Sequence, residues 1–194
     1  MADVADAARA IQRGELVVYP TETVYGLGAD ALDSTAVERV FDAKGRPREK
    51  PISLGAPDVE AALDYVRAGD RERAFMRAFL PGPVTVVCER TAEVPDALTA
   101  GRDRVGVRVP DHDLAREFAR RAGTPVTATS ANESGTGSVR RVEDLSPAVR
   151  ERVAAVLDGG ETPGGGSTVV DVARDEIHRR GALADEVEAW LAEN

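Results

Sequence analysis

A single α/β domain, with a twisted mixed β-sheet flanked by helices, is what the sequence predicts, on three observations. Strand-like and helix-like segments alternate throughout, without a regular strand–helix–strand rhythm, and several strand-like segments follow one another directly. The 194 residues suit one domain, 1–194, with no internal repeat, low-complexity tract or long linker to divide them. Polar, glycine- and proline-rich stretches (PTETVYG, KGRPREKP, LPGP, SANESGTGS, GGGST and RRG) fall at the ends of predicted strands. In α/β sheets that is where ligands bind.

Val4, Ala7, Ala8 and Ile11 recur at helical spacing, which predicts a helix over 3–13 ending at Gly14. A buried strand at 15–19 and a mixed strand–turn segment at 20–29 follow. Ser34 caps a helix running to about Ala43, with Val37, Val40 and Phe41 on its inner face. A short strand at 52–54 precedes helices at 57–68 and 70–79. Strands are predicted at 84–89, 104–109, 125–129, 152–157, 168–172 and 176–179. Asp111 opens a helix to about Ala122, and Ser146-Pro147 opens another, with proline at the first helical position. A last helix, 183–193, carries Leu183, Val187, Trp190 and Leu191 on one face.

The formal net charge is -9, which argues against bulk attraction to nucleic acid. Such a composition suits a protein working at high salt, or an arginine-favouring genome. No run of 18 apolar residues predicts a membrane span, and the N-terminal stretch lacks a secretory pattern, so a cytoplasmic protein without membrane partners is expected. Cys88 stands alone on an apolar strand and reads as an inert thiol. His112 and His178 lack a second histidine at metal-ligand spacing.

Against this acidic background, residues 44–51 hold four cations, Lys44, Arg46, Arg48 and Lys50. Those two lysines are the chain's entire complement, and the other 23 basic residues are arginines. Two prolines keep the loop out of a helix. Taken alone it is either a solvated surface loop or a grip for anions. GGGST is either a nest of backbone N–H groups or a flexible turn, and it is no P-loop. With Thr21, Thr23, Ser130, Asn132, Ser134, Ser138, Ser167 and Thr168 as neutral donors and acceptors, and Arg108 and Arg179 as further cations, the set suits a cleft for phosphates and carboxylates. No Ser/His/Asp arrangement can be argued. Chemistry here would rest on positioning and electrostatic stabilisation, which is what nucleotidyl transfer needs.

Seven segments in order, PTETVYGLGADAL, AKGRPREKP, LPGPVT, VGVRVPDH, SANESGTGS, GSTVVD and HRRGAL, span residues 20 to 183. In them the chain resembles the YrdC-type threonylcarbamoyl-AMP synthases, in the short, single-domain form. The resemblance implies a YrdC-like fold with a concave basic cleft. It implies an ATP-dependent nucleotidyltransferase acting on L-threonine and bicarbonate. The product, threonylcarbamoyl-AMP, would pass to the threonylcarbamoyl-transferase machinery that modifies adenosine 37 of tRNA. Mg²⁺ would accompany ATP without a dedicated protein site.

By the same resemblance Lys44, Arg46 and Lys50 are catalytic. Lys44, Arg46, Arg48, Ser130, Asn132, Ser138 and Arg179 bind ATP, and Thr21, Arg108 and Ser167 bind threonine. Where the family often reads Arg-Pro-Gly, this chain has Arg179-Arg180-Gly181, which leaves open which arginine points inward. ISLGAP after the lysine loop lacks a histidine that long forms often carry. Two alternatives stand beside this reading: a non-catalytic module of the same fold that binds double-stranded RNA or tRNA, and a carbamoyl-transfer domain of the hydrogenase-maturation kind. The latter carries zinc-binding cysteines that are missing here.

Overall fold

The computed structural model describes residues 2–194. Asp3 accepts a hydrogen bond from the Asp6 N–H (2.7 Å) and so caps α1 (Val4–Gln12). Strands β1 (Leu16–Tyr19) and β2 (Gly26–Gly28) follow, then α2 (Ser34–Lys44). The cap of α2 is Asp33, whose carboxylate accepts from the Thr35 N–H, so the expected Ser34 cap moves one residue back. The helix takes in Lys44, the first residue of the basic stretch.

Next come β3 (Ser53–Gly55), α3 (Val59–Leu63) and β4 (Val66–Arg67). The helix expected over 57–68 is therefore cut short. Val66 and Arg67 pair antiparallel with Arg90 and Glu89, and that sheet contact outweighs local helical preference. The chain continues through α4 (Asp70–Phe79), β5 (Val84–Arg90), the unforeseen short α5 (Asp96–Thr99) and β6 (Arg104–Arg108). Then follow α6 (Asp113–Ala122), β7 (Val126–Ser130), α7 (Pro147–Arg150), β8 (Val153–Val156), β9 (Thr168–Asp171), β10 (Glu176–Arg179) and α8 (Ala184–Glu193). Leu183 lies outside α8 in a left-handed conformation (φ 60°) and is exposed. That turns it off the apolar face on which Val187, Trp190 and Leu191 pack.

The strands form one mixed sheet in the order β10-β9-β5-β6-β3-β7-β2-β1-β8, with β4 paired to the far end of β5. Three neighbouring pairs are parallel: β1 with β8, β3 with β6 and β5 with β9.

Side-chain alternation along the strands divides the core in two. Leu16, Val18, Leu54, Val84, Val86, Val105 and Val107 face a large cluster that also takes Phe41 and Phe75. Val17, Tyr19 and Val126 face the opposite side, against α1 and the Phe118 face of α6. Each such buried side chain contributes about 1.5–3 kcal/mol. On this second side α1 and α6 pack over β1, β7 and β8. Further along the same face, over β3, β6, β5 and β9, the residues line a cavity instead.

Candidate active site

The cavity, about 650 Å³, is built by the alternating residues of that face. Ser53, Thr85, Val87, Gly106, Ala128, Ser130, Ser167 and Val169 all point into it. Most are small, which makes the face concave. At Gly106 a Cβ would lie 2.4 Å from Ser53 Oγ and 3.0 Å from the Thr85 methyl, so a side chain there would displace Ser53. Gly181 is equally constrained: a Cβ there would sit 2.2 Å from the Gly166 carbonyl oxygen, where the Ser167–Ala182 bridge brings the RRG and GGGST stretches together.

Six arginines line the cavity, Arg46, Arg102, Arg104, Arg108, Arg174 and Arg179, against one carboxylate, Asp103. Their partners differ. Arg46 donates to the carbonyls of Lys50 (3.0 Å) and Pro51 (2.9 Å). Arg179 donates through Nε and Nη2 to the Ser167 carbonyl, and through Nη2 also to Ser167 Oγ (2.9 Å). Neither has a carboxylate partner among the described residues. Arg108 Nη2 donates to Glu22 Oε1 (2.8 Å) and Thr23 Oγ1 (3.1 Å). Arg104 is held by fully buried Asp171 (2.8 Å).

The unpaired cations crowd one another. Burial, then the neighbouring Arg179, lowers the pKa of Arg46. Burial, then Arg108, lowers that of Arg179. Burial, then Arg46, pushes Lys44 down to about 8. Burial disfavours each positive charge and its neighbour adds repulsion. An anion in the cavity would relieve both.

Of the residues picked out from sequence, the structure brings Thr21, Arg46, Arg108, Ser130, Ser138, Ser167 and Arg179 to the cavity wall. Thr21 Oγ1 donates to the Val24 carbonyl (2.6 Å) and lies 3.0 Å from Thr23 Oγ1, while Ser167 Oγ lies 2.8 Å from Thr85 Oγ1.

Four other candidates are not on the wall. Lys44 is buried, and its Nζ donates to the Asn132 carbonyl (2.6 Å) and to that of Ser130. The Ser134 N–H in turn donates to the Lys44 carbonyl (2.8 Å), so Lys44 ties the end of α2 to the SANESG turn. Asn132 turns its Nδ2 to the carbonyls of Glu133 and Thr136, and its Oδ1 is buried without a partner. Arg48 lies on the outer side of α2, exposed and paired with Glu38 (2.7 Å) and Asp42 (2.6 Å). Those two pairs occupy the Arg48 guanidinium away from the cavity wall. Lys50 is exposed and forms no ion pair among the described residues. In the HRRG stretch the inward arginine is Arg179, while Arg180 pairs outside with Asp185 and Glu188.

Sequence reasoning missed Glu22, Thr85, Arg104 and Gly106. For the last two a signal existed, because RVGVR places Arg104, Gly106 and Arg108 on one face of β6 by strand alternation.

What fold and site define together is an α/β domain with an arginine-lined cavity on one face of its sheet. The chain belongs to the Sua5/YciO/YrdC family, whose model, described as telomere recombination, matches residues 9–181. It is 39% identical over 193 residues to a threonylcarbamoyl-AMP synthase of Pyrococcus abyssi, covering 96% of this chain and 56% of that protein. A Bacillus subtilis protein of the same name is also 39% identical, over 195 residues, covering 97% of this chain and 56% of its own. The chain thus spans little more than half the length of these curated relatives. The crystal structure of P. abyssi Sua5 complexed with L-threonine superposes with a TM-score of 0.90 at 37% identity, covering 98% of this chain and 57% of that one.

Proposed function

We propose that the domain is a threonylcarbamoyl-AMP synthase. The observation that carries this reading is the pair Arg46 and Arg179, neighbours on the cavity wall without carboxylate partners among the described residues, in a cavity that also offers Arg108 and several hydroxyls. Three anionic groups have to meet in such a reaction: a triphosphate, bicarbonate and the threonine carboxylate.

The amine of threonine adds to bicarbonate with loss of water, giving N-carboxy-threonine. A carbamate oxygen then attacks the α-phosphorus of ATP, the bond to the β-phosphate breaks, and pyrophosphate leaves. Arg46 and Arg179, with Ser130 and Ser138, hold the phosphates and stabilise the charge that develops. Exposed Lys50 is the lysine loop's free ammonium for the same task. Thr21, Arg108 and Ser167 hold threonine. Lys44 and Asn132 set the shape of the Ser130 turn.

Mg²⁺ would screen the phosphates. The ion would arrive on ATP. The product is a mixed anhydride that a downstream transferase would deliver to tRNA. No helix among the described residues is long and apolar enough to cross a membrane.

The test is pyrophosphate release from ATP. Release that requires both threonine and bicarbonate is the expected result. Release that is indifferent to threonine contradicts the reading.

A further inference from the structure

We infer that Glu22 is a positioning residue which, with Thr23, holds Arg108 ready for a carboxylate; this rests on the function proposed above. Arg108 carries five N–H donors. Two, both on Nη2, are committed to Glu22 Oε1 (2.8 Å) and Thr23 Oγ1 (3.1 Å). The donors on Nη1 and Nε make no hydrogen bond among the described residues, and neither atom is a sealed, unpartnered group. Arg108 lines the cavity and Glu22 does not. The carboxylate therefore stands behind the arginine, which turns its free donors toward a ligand.

Two physical arguments give Glu22 this task. Arg108 lies close enough to Arg179 to depress that group's pKa, so buried Arg108 and the more open Arg179 repel across the cavity. A carboxylate behind Arg108 offsets that repulsion and keeps the side chain from swinging away. Second, the arrangement is poor if stability were its purpose. Glu22 is 14% exposed and Arg108 9%, and Glu22 Oε2 is buried with no hydrogen-bond partner. A buried, half-satisfied carboxylate carries a desolvation penalty that an apolar residue would avoid. Retaining it at the foot of a cavity arginine marks a site being held in one geometry. Thr21, whose hydroxyl meets that of Thr23 at 3.0 Å, extends the same scaffold to the cavity wall.

The experiment measures the KM of threonine, the KM of ATP and kcat by pyrophosphate release in Glu22→Ala, Glu22→Gln, Arg108→Ala and the double variant Glu22→Ala/Arg108→Ala. Glu22→Ala raises the threonine KM about tenfold or more and leaves the ATP KM within about twofold. Glu22→Gln, which still accepts from Nη2 but brings no charge, falls between wild type and Glu22→Ala. The double variant is no worse than Arg108→Ala alone, because Glu22 acts through Arg108. Should Glu22→Ala fail to fold, Glu22→Gln carries the same comparison. Effects that multiply in the double variant, or a Glu22 variant that shifts both KM values alike, overturn the inference. Arg108→Ala impaired for threonine beside an unimpaired Glu22→Ala overturns the inference alone. Wild-type protein that ignores threonine overturns the function on which it rests.

Discussion

Two groups of arginines line one cavity and are held in opposite ways. At one end Arg104 lies between two carboxylates. Asp171 Oδ1 is 2.8 Å away and fully buried, and Glu72 Oε1 is 3.5 Å away. Arg104 also donates to the Val87 carbonyl, and Arg174 approaches the other Asp171 oxygen at 3.5 Å. At the other end Arg46 and Arg179 have carbonyl and hydroxyl partners but no carboxylate, and each has another cation beside it. The first group has its counter-charge built in and ties β6 to β9 through strand β5. The second has its hydrogen-bond geometry fixed and its counter-charge left out. A site that must accept and release polyanions needs the second arrangement, and a sheet that must stay folded needs the first. Arg108 stands between them, with one carboxylate behind it and free donors in front.

The contrast breaks most visibly at Asp171. Asp171→Asn removes the nearer of the two counter-charges of a largely buried arginine and leaves Glu72 at 3.5 Å, which costs up to about 3–5 kcal/mol. Urea denaturation should show a lower midpoint at unchanged slope. A loss below about 1 kcal/mol would mean that Arg104 is no better paired than Arg46. The smallest effect is expected at Arg48. Its two ion pairs are solvent-screened surface contacts, and Arg48→Ala should leave the rate of pyrophosphate release within about twofold. A larger drop in rate would bring Arg48 back to the phosphates and move the boundary of the site onto α2.

The basic loop shows how far the sequence could be read. Its four cations were visible as an anomaly in an acidic chain, and two prolines marked it as a loop. Which way each cation faces was not visible. Lys44 points inward because the carbonyls that receive it belong to residues 86 and 88 positions later, a contact decided by where the end of α2 meets the SANESG turn. Arg48 points outward because Glu38 and Asp42 lie on the same exposed helix face, and helical spacing does put those two side by side.

The sheet face was more legible. Alternation in RVGVR and in VTVVCER carries an unread signal that divides cavity from core: Thr85, Val87, Arg104, Gly106 and Arg108 line the cavity, and Val84, Val86, Cys88, Val105 and Val107 the core. The end of the 57–68 segment went astray because strand pairing with β5 is non-local. Glu22 was hidden inside PTETVYG because its partner, Arg108, lies 86 residues away.

The central claim is that Arg46 and Arg179 are cations kept for a bound anion. Calorimetric titration of ATP into wild type, Arg46→Ala and Arg179→Ala tests it most directly, with urea denaturation of the same samples as the control. Each substitution should weaken ATP binding about tenfold or more, about 1.4 kcal/mol, and leave folding stability unchanged or slightly higher as crowding is relieved. ATP affinity that is unchanged in both variants, or lost only in step with folding stability, would contradict it.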